Sequence, residues 1–146
     1  MNIDILEMTF DDLEELKTSL LTDFDDFWNE QILKEELSNP NSHYLVAKQG
    51  NSILGFGGIS QVLDEATLNN IVVKKDFRNL GIASIILENL ILLATNNKAS
   101  FITLEVNIHN ASAIHLYKKY DFEQVGIRKK YYNYTDDALL MTKKLN

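Results

Sequence analysis

Apolar positions recur along the chain with two periods, and the switches between them mark out the elements. Ile3, Ile5 and, less cleanly, Met8 alternate with polar residues and predict a short opening strand. Thr9, with Asp12 three residues on, suits a helix N-cap. Leu13, Leu16 and Leu20 then share a helical stripe, while Asp11, Asp12, Glu14 and Glu15 sit where the helix dipole favours negative charge. A second helix runs through Ile32, Leu33 and Leu37 and stops before Pro40. Alternation returns in His43 to Lys48 and resumes after the turn Gln49-Gly50-Asn51-Ser52 in Ile53 to Ile59, which is a hairpin pattern. A second turn near Asp64 leads into a third strand over 65–73.

The later half alternates helix and strand. Ile82, Ile85, Ile86, Leu90 and Leu93 predict a helix from Gly81 to about Thr95. Residues 100–108 follow as a strand, with Ile102, Leu104, Val106 and Ile108 on one face and Glu105 on the other. Asn110 caps a helix from Ala111 to Tyr120 whose stripe is Ala113, Leu116, Tyr117 and Tyr120, and strands at 122–127 and 137–145 close the chain around a loop at 128–134. The order βααβββαβαββ describes an α/β (α+β) fold in one domain, 1–146, with a mixed, mostly antiparallel sheet of about seven strands and helices on both faces.

Two stretches do not fit their elements. Asn69 and Asn70 are costly inside a strand unless a bulge or splay leaves backbone groups there for a ligand. Between the first two helices, Phe24, Phe27 and Trp28 crowd a polar segment, either as a hydrophobic staple closing the turn or as an aromatic lip over a substrate.

The candidate chemistry gathers at 71–84, where a strand ending Ile71-Val72-Val73 passes through a basic turn into the helix at Gly81. The first turn of that helix leaves amide N–H groups without intrahelical partners, at the positive end of the dipole. Gly81 and Ala83 keep side chains away from an approaching anion, and Lys74, Lys75 and Arg78 add positive charge, so a phosphate could bind there. Small residues at such turns also occur for packing alone. A crossover helix between two strands favours their running parallel, which puts Glu105 near the C-terminal edge of the sheet, where ligands of such sheets bind.

Composition narrows the field. With 14 Lys and Arg against 21 Asp and Glu, the net charge of −7 excludes a general nucleic-acid or membrane-surface binder. The absence of cysteine removes disulfides, thiolate metal sites and a cysteine nucleophile. His109 and His115 have no spacing that makes a metal site. No signal peptide or membrane span is expected, and the protein is expected in the cytoplasm.

Several separated motifs resemble one family, the GNAT N-acetyltransferases. Arg78-Asn79-Leu80-Gly81-Ile82-Ala83 meets its Q/R-x-x-G-x-G/A pattern. Asp64 to Leu68 with Asn70-Ile71, Leu104-Glu105-Val106, Asn110-Ala111 with Leu116-Tyr117, Arg128 with Tyr131-Tyr132, and Asp137-Ala138 with Met141 resemble the RimI subfamily, which acetylates the N-terminal alanine of a small-subunit ribosomal protein. The resemblance implies acetyl-CoA as co-substrate, without metal, held in a splay between the strand ending at Val73 and the strand carrying Glu105. It implies that Ile71, Val72 and Val73 contact the pantetheine, that residues 78–84 (Arg78, Asn79, Leu80, Gly81, Ile82, Ala83, Ser84) take the pyrophosphate, and that Asn110 and Tyr117 also touch the cofactor. Glu105 would be the general base and Tyr117 the general acid, with Phe27, Trp28, Asn70, Glu105, Tyr131 and Tyr132 facing the acceptor. The implied partner is a protein N-terminus, on a monomer or weak homodimer that binds neither nucleic acid nor membrane. Asp121 stands where relatives often carry a helix-terminating Gly, a left-handed position that Asp can occupy.

On residue type alone, a strand glutamate is more often solvated or ion-paired than a base, and a tyrosine on a helical stripe is more often core. A GNAT enzyme acting on a polyamine, aminoglycoside or amino acid, and a non-catalytic acyl-CoA-binding module, are the competing expectations.

Overall fold

The computed structural model describes residues 2–17, 19, 23–24, 30–132 and 135–145, with backbone alone at 131 and 132. Its elements are β1 (Asp4–Glu7), α1 (Phe10–Leu16), α2 (Glu30–Ser38), β2 (Ser42–Gln49), β3 (Ser52–Val62), β4 (Glu65–Val73), a 3-10 turn (Lys75–Phe77), α3 (Ile82–Asn96), β5 (Phe101–Asn107), α4 (Ala111–Lys119), β6 (Glu123–Tyr132) and β7 (Asp136–Lys144). The strands form a seven-stranded sheet in the order β1-β2-β3-β4-β5-β7-β6, antiparallel where registers are described except for the parallel β4–β5 pair. The expected element order and mixed sheet are therefore present. No helix among the described residues is long and apolar enough to cross a membrane.

The chain divides into two compact units, one of residues 1–60 and 69–93, the other of residues 61–68 and 94–146. In the first, Met8, Leu13, Leu16, Phe24, Leu33, Tyr44, Val46, Ile53, Phe56 and Val72 make one buried cluster. The start of α1 is built as a capping box: Asp12 N donates to Thr9 Oγ1 at 3.1 Å and Thr9 N to Asp12 Oδ2 at 2.8 Å. Asp12 is nearly buried, and Lys48 of β2 answers its charge at 2.7 Å. α3 buries Ile82, Ile86, Leu87 and Leu90, and it approaches β3 closely because β3 carries glycine beneath it. A Cβ on Gly57 would lie 2.9 Å from Ile86 Cγ2 and 3.0 Å from the Asn70 carbonyl oxygen. A side chain at 57 would force the Ile86 side chain of α3 or the Asn70 backbone to give way.

β4 runs through both asparagines as one strand, while its pairing with β5 ends at Thr67, two residues before Asn69, as the expected splay requires. Asn69 Nδ2 donates to Ser60 Oγ at 2.8 Å and to the Tyr44 hydroxyl at 3.3 Å, and a chain of hydroxyls continues from Ser60 to Ser42 and on to Glu36 of α2. Burial pushes the Tyr44 phenol well above its ordinary range, with Glu36 adding to the shift, so Tyr44 is a neutral hydroxyl in this network.

In the second unit β4 opens parallel to β5 through Glu65↔Phe101, Ala66↔Ile102 and Thr67↔Thr103. β7 lies antiparallel to β5 on one side and to β6 on the other. Ile102, Leu104 and Val106 are buried, and the alternate residues of β5 are partly exposed, as the alternation predicts. The expected loop at 128–134 is corrected: β6 continues through Arg128 to Tyr132, with a register shift that places Lys130 at φ 52°. Asp137 holds that irregularity, its carboxylate accepting from the Lys130 amide at 2.9 Å and from Lys129 Nζ at 3.4 Å.

Candidate active site

The candidate residues fall in both units. In the first, the backbone between β4 and α3 turns through two left-handed residues, Asn79 at φ 64° and Gly81 at φ 82°. Gly81 accepts the first bond of α3, from Ile85 N at 3.2 Å, and so occupies the cap position with no side-chain oxygen to offer. The amides of Ile82, Ala83 and Ser84 therefore head the helix uncovered by a capping side chain. A Cβ at Gly81 would meet nothing within 4 Å, so packing against protein does not require glycine here. Arg78, Asn79 and Leu80 are exposed; Arg78 Nε turns back to the Val73 carbonyl at 3.2 Å, tying the basic turn to the end of β4. Lys75 N donates to the Asp23 carbonyl at 2.8 Å, and Lys74 Nζ lies 3.8 Å from the Asp23 carboxylate.

Of the amides expected to meet a cofactor, Ile71 is already engaged: its N–H donates to Asn70 Oδ1 at 2.8 Å. A ligand at this amide would have to displace the Asn70 side chain. Val72 and Val73 are buried. Phe24 does not form a lip; it is 1% exposed and packs in the core on Phe56 of β3 at 5.6 Å between ring centroids. Phe27 and Trp28 lie outside the described residues.

In the second unit, Glu105 sits on the half-exposed face of β5 and its Oε1 receives Arg128 Nη2 at 2.8 Å. The ion-pair expectation for this glutamate is thus realised, with a partner that residue spacing did not suggest. Tyr117 is 7% exposed, on α4, and its placement follows from how that helix ends. Phe122 N donates to Tyr117 O at 3.0 Å and Asp121 N to Lys118 O at 3.0 Å, with Asp121 left-handed at φ 68°. That is a Schellman close, and its usual hydrophobic contact is present as the Tyr117 and Phe122 rings, 5.7 Å apart. Asp121 thus fills the glycine position as expected. Asn110 caps α4, accepting from Ala113 N at 3.2 Å. The Tyr131 and Tyr132 side chains lie outside the described residues. His109 is exposed, 3.7 Å from Asp136, and among the described residues no group of three or more His, Cys, Asp or Glu could hold a metal.

The family model described as "Acetyltransferase (GNAT) family" matches residues 9–122. The chain belongs to the GNAT acetyltransferases. A relative from Bacillus subtilis (strain 168) is 31% identical over 97% of this chain and 95% of its own. The Escherichia coli (strain K12) [ribosomal protein bS18]-alanine N-acetyltransferase is 37% identical over 119 residues, 78% of each chain. The crystal structure of the E. coli ribosomal-protein-S18-alanine N-acetyltransferase superposes with a TM-score of 0.90 at 28% identity, covering 99% of this chain and 95% of that one. The same GNAT fold is shared with an Elizabethkingia anophelis acetyltransferase solved with acetyl-CoA bound, at a TM-score of 0.77 and 24% identity.

Sequence reasoning missed two features of this GNAT chain: the Arg128 partner of Glu105 and the Asn70 side chain over the Ile71 amide. The second had a signal, since an Asn in a strand seeks a local backbone donor. The first had none at the level of spacing, because it depends on the register of three strands.

Proposed function

We propose that this chain moves the acetyl group of acetyl-CoA to the α-amine of a protein N-terminus, with the N-terminal alanine of ribosomal protein bS18 as acceptor, by direct transfer in a ternary complex. The observation that carries the co-substrate is Gly81: left-handed, capping a 15-residue helix, and open where a Cβ would stand. Those features fit a diphosphate on the amides of Ile82, Ala83 and Ser84, with Arg78 and Lys75 adding positive charge in the turn that precedes the helix. The likeness to the E. coli enzymes supports the acceptor.

Acetyl-CoA supplies an activated thioester carbonyl; this chain supplies proton handling and orientation. A peptide α-amine has a pKa of about 7.7–8.0 and arrives largely protonated at neutral pH. The Glu105 carboxylate takes that proton, directly or through water, and frees the lone pair that attacks the carbonyl carbon. As the carbon–sulfur bond breaks, the Tyr117 hydroxyl gives its proton to the sulfur, and the second proton, lost from nitrogen as the amide forms, restores the phenol through solvent, so that N-acetyl peptide and CoA leave. Hydrogen bonds to the Tyr117 carbonyl from Tyr120 N at 3.1 Å and Phe122 N at 3.0 Å hold its backbone, and the Phe122 ring packs on the ring that carries the hydroxyl. No protein nucleophile takes part.

The experiment is release of CoA from acetyl-CoA with peptides beginning Ala-Arg, Met-Leu or Ser-Glu. Turnover with Ala-Arg is expected. Turnover with none of the three would overturn the proposal, and turnover confined to a parallel panel of polyamines, aminoglycosides and amino acids would move the acceptor to small amines, to which a net charge of −7 is also attractive. Acetyl-CoA binding with no turnover on any acceptor would point to a binding module.

A further inference from the structure

The Arg128–Glu105 pair is built across the sheet, not along one strand. Directly opposed residues share a face, and faces alternate at every residue. Glu105, Leu140 and Gly126 therefore form one row, and Asn107, Ala138 and Arg128 the next row on the same face. To reach Glu105, Arg128 has to pass over β7 and advance by one row, about 10 Å across and about 7 Å along. Only a long side chain meeting another extended one closes that gap, and the residue directly opposite Arg128 on β7 is Ala138, whose side chain is a single methyl. The contact at 2.8 Å joins a half-exposed guanidinium to a largely shielded carboxylate. Pairs with one member so exposed contribute little to stability, so folding gives scant reason for the arrangement.

We propose that Arg128 is a positioning residue for the Glu105 base: by holding Oε1, it keeps the carboxylate in the orientation from which it receives the acceptor's proton. This rests on the function proposed above. A glutamate has three side-chain torsions, and a misplacement of about 1 Å in a reacting group costs on the order of a hundredfold in rate. Arg128 touches neither substrate in this role; its effect passes through Glu105.

The test compares wild type, R128M and R128K with acetyl-CoA and an Ala-Arg peptide, measuring kcat and both KM values from about pH 7 to about pH 9.5. R128M keeps an unbranched apolar stem and loses the charge; its kcat near pH 7 is expected to fall about 10- to 100-fold while KM for acetyl-CoA stays within about twofold. R128K, with a shorter point donor, recovers part of the loss. The deficit of both variants shrinks toward the upper pH, because an acceptor with a pKa of about 7.7–8.0 then arrives already deprotonated and needs the carboxylate less. A role confined to folding leaves the deficit constant with pH. That constancy, an unchanged kcat in R128M, or a loss confined to KM for acetyl-CoA would each overturn the proposal. If R128M does not fold, R128K carries the same test with a smaller deficit of the same pH dependence. A wild-type protein inert toward every peptide would overturn the proposed function and this inference with it; an active wild type matched by R128M would overturn this inference alone.

Discussion

Gly81 separates a residue kept for the backbone from one kept for a ligand, and two substitutions there distinguish the causes. At φ 82°, alanine is expected to cost about 1–2 kcal/mol, a Tm drop of about 2–8 °C for a chain of this size. No steric penalty adds to this, since the new Cβ meets nothing within 4 Å. Asparagine tolerates the left-handed region better, as Asn79 at φ 64° already does two residues earlier, so G81N should melt closer to wild type than G81A. Both side chains project into the opening above the first turn of α3. If a diphosphate sits there, each variant loses one charge-assisted hydrogen bond, about 1.5–3 kcal/mol or roughly 10- to 150-fold in acetyl-CoA affinity. Calorimetric titration with acetyl-CoA, beside thermal melts, reads both quantities. A folded G81N that binds acetyl-CoA as tightly as wild type would refute the cradle and place the diphosphate elsewhere.

Three further outcomes follow from the geometry. E105Q should lower kcat by about 10²- to 10⁴-fold with acetyl-CoA affinity within about twofold, since amide and carboxylate share a shape but only one accepts the proton; steady-state kinetics with calorimetry checks it. Y117F retains the ring contact with Phe122, and its kcat should fall by about 10²-fold or more, with a thermal melt to show that it folds. For Asp12, burial alone would raise the carboxyl pKa, but Lys48 at 2.7 Å and the Thr9 amide outweigh it and hold the value below the usual range. Its stabilisation is therefore complete above about pH 4 and lost as pH falls through the lower native value. D12A should cost about 2 kcal/mol near neutral pH, from a lost cap and a lost ion pair, and should flatten the acid limb of stability followed by urea unfolding.

What was legible in the chain was local. The capping box at Thr9 and Asp12, the hairpin about Gly50, the helix after Gly81 and the left-handed Asp121 each depend on neighbours within a few positions, where turn chemistry and periodicity act directly. Strand β6 was legible only to Ile127. Beyond it Arg128, Lys129 and Lys130 offer no alternation, because an edge strand exposed on both faces has no core to pattern it. Phe24 was ambiguous for the opposite reason: an apolar ring in a polar segment has the same spacing whether it folds inward or outward, and only the presence of Phe56 decides. For the candidate site, residue types were readable but their company was not. Glu105 gains Arg128 through two antiparallel registers, one of them irregular, which no linear spacing encodes.

The hydrogen bond from Ile71 to Asn70 bears on how a GNAT cleft behaves between turnovers. With its donor already engaged, the resting backbone suffers no desolvation penalty, so if the cofactor's carbonyl is received at this amide it merely trades one acceptor for another of similar strength. Such a swap discriminates by shape and adds almost nothing to tightness. If the proposed diphosphate cradle holds, retention of the nucleotide carrier then depends on its charged end, which is the same before and after the acyl group departs, and spent carrier should compete with fresh on nearly equal terms.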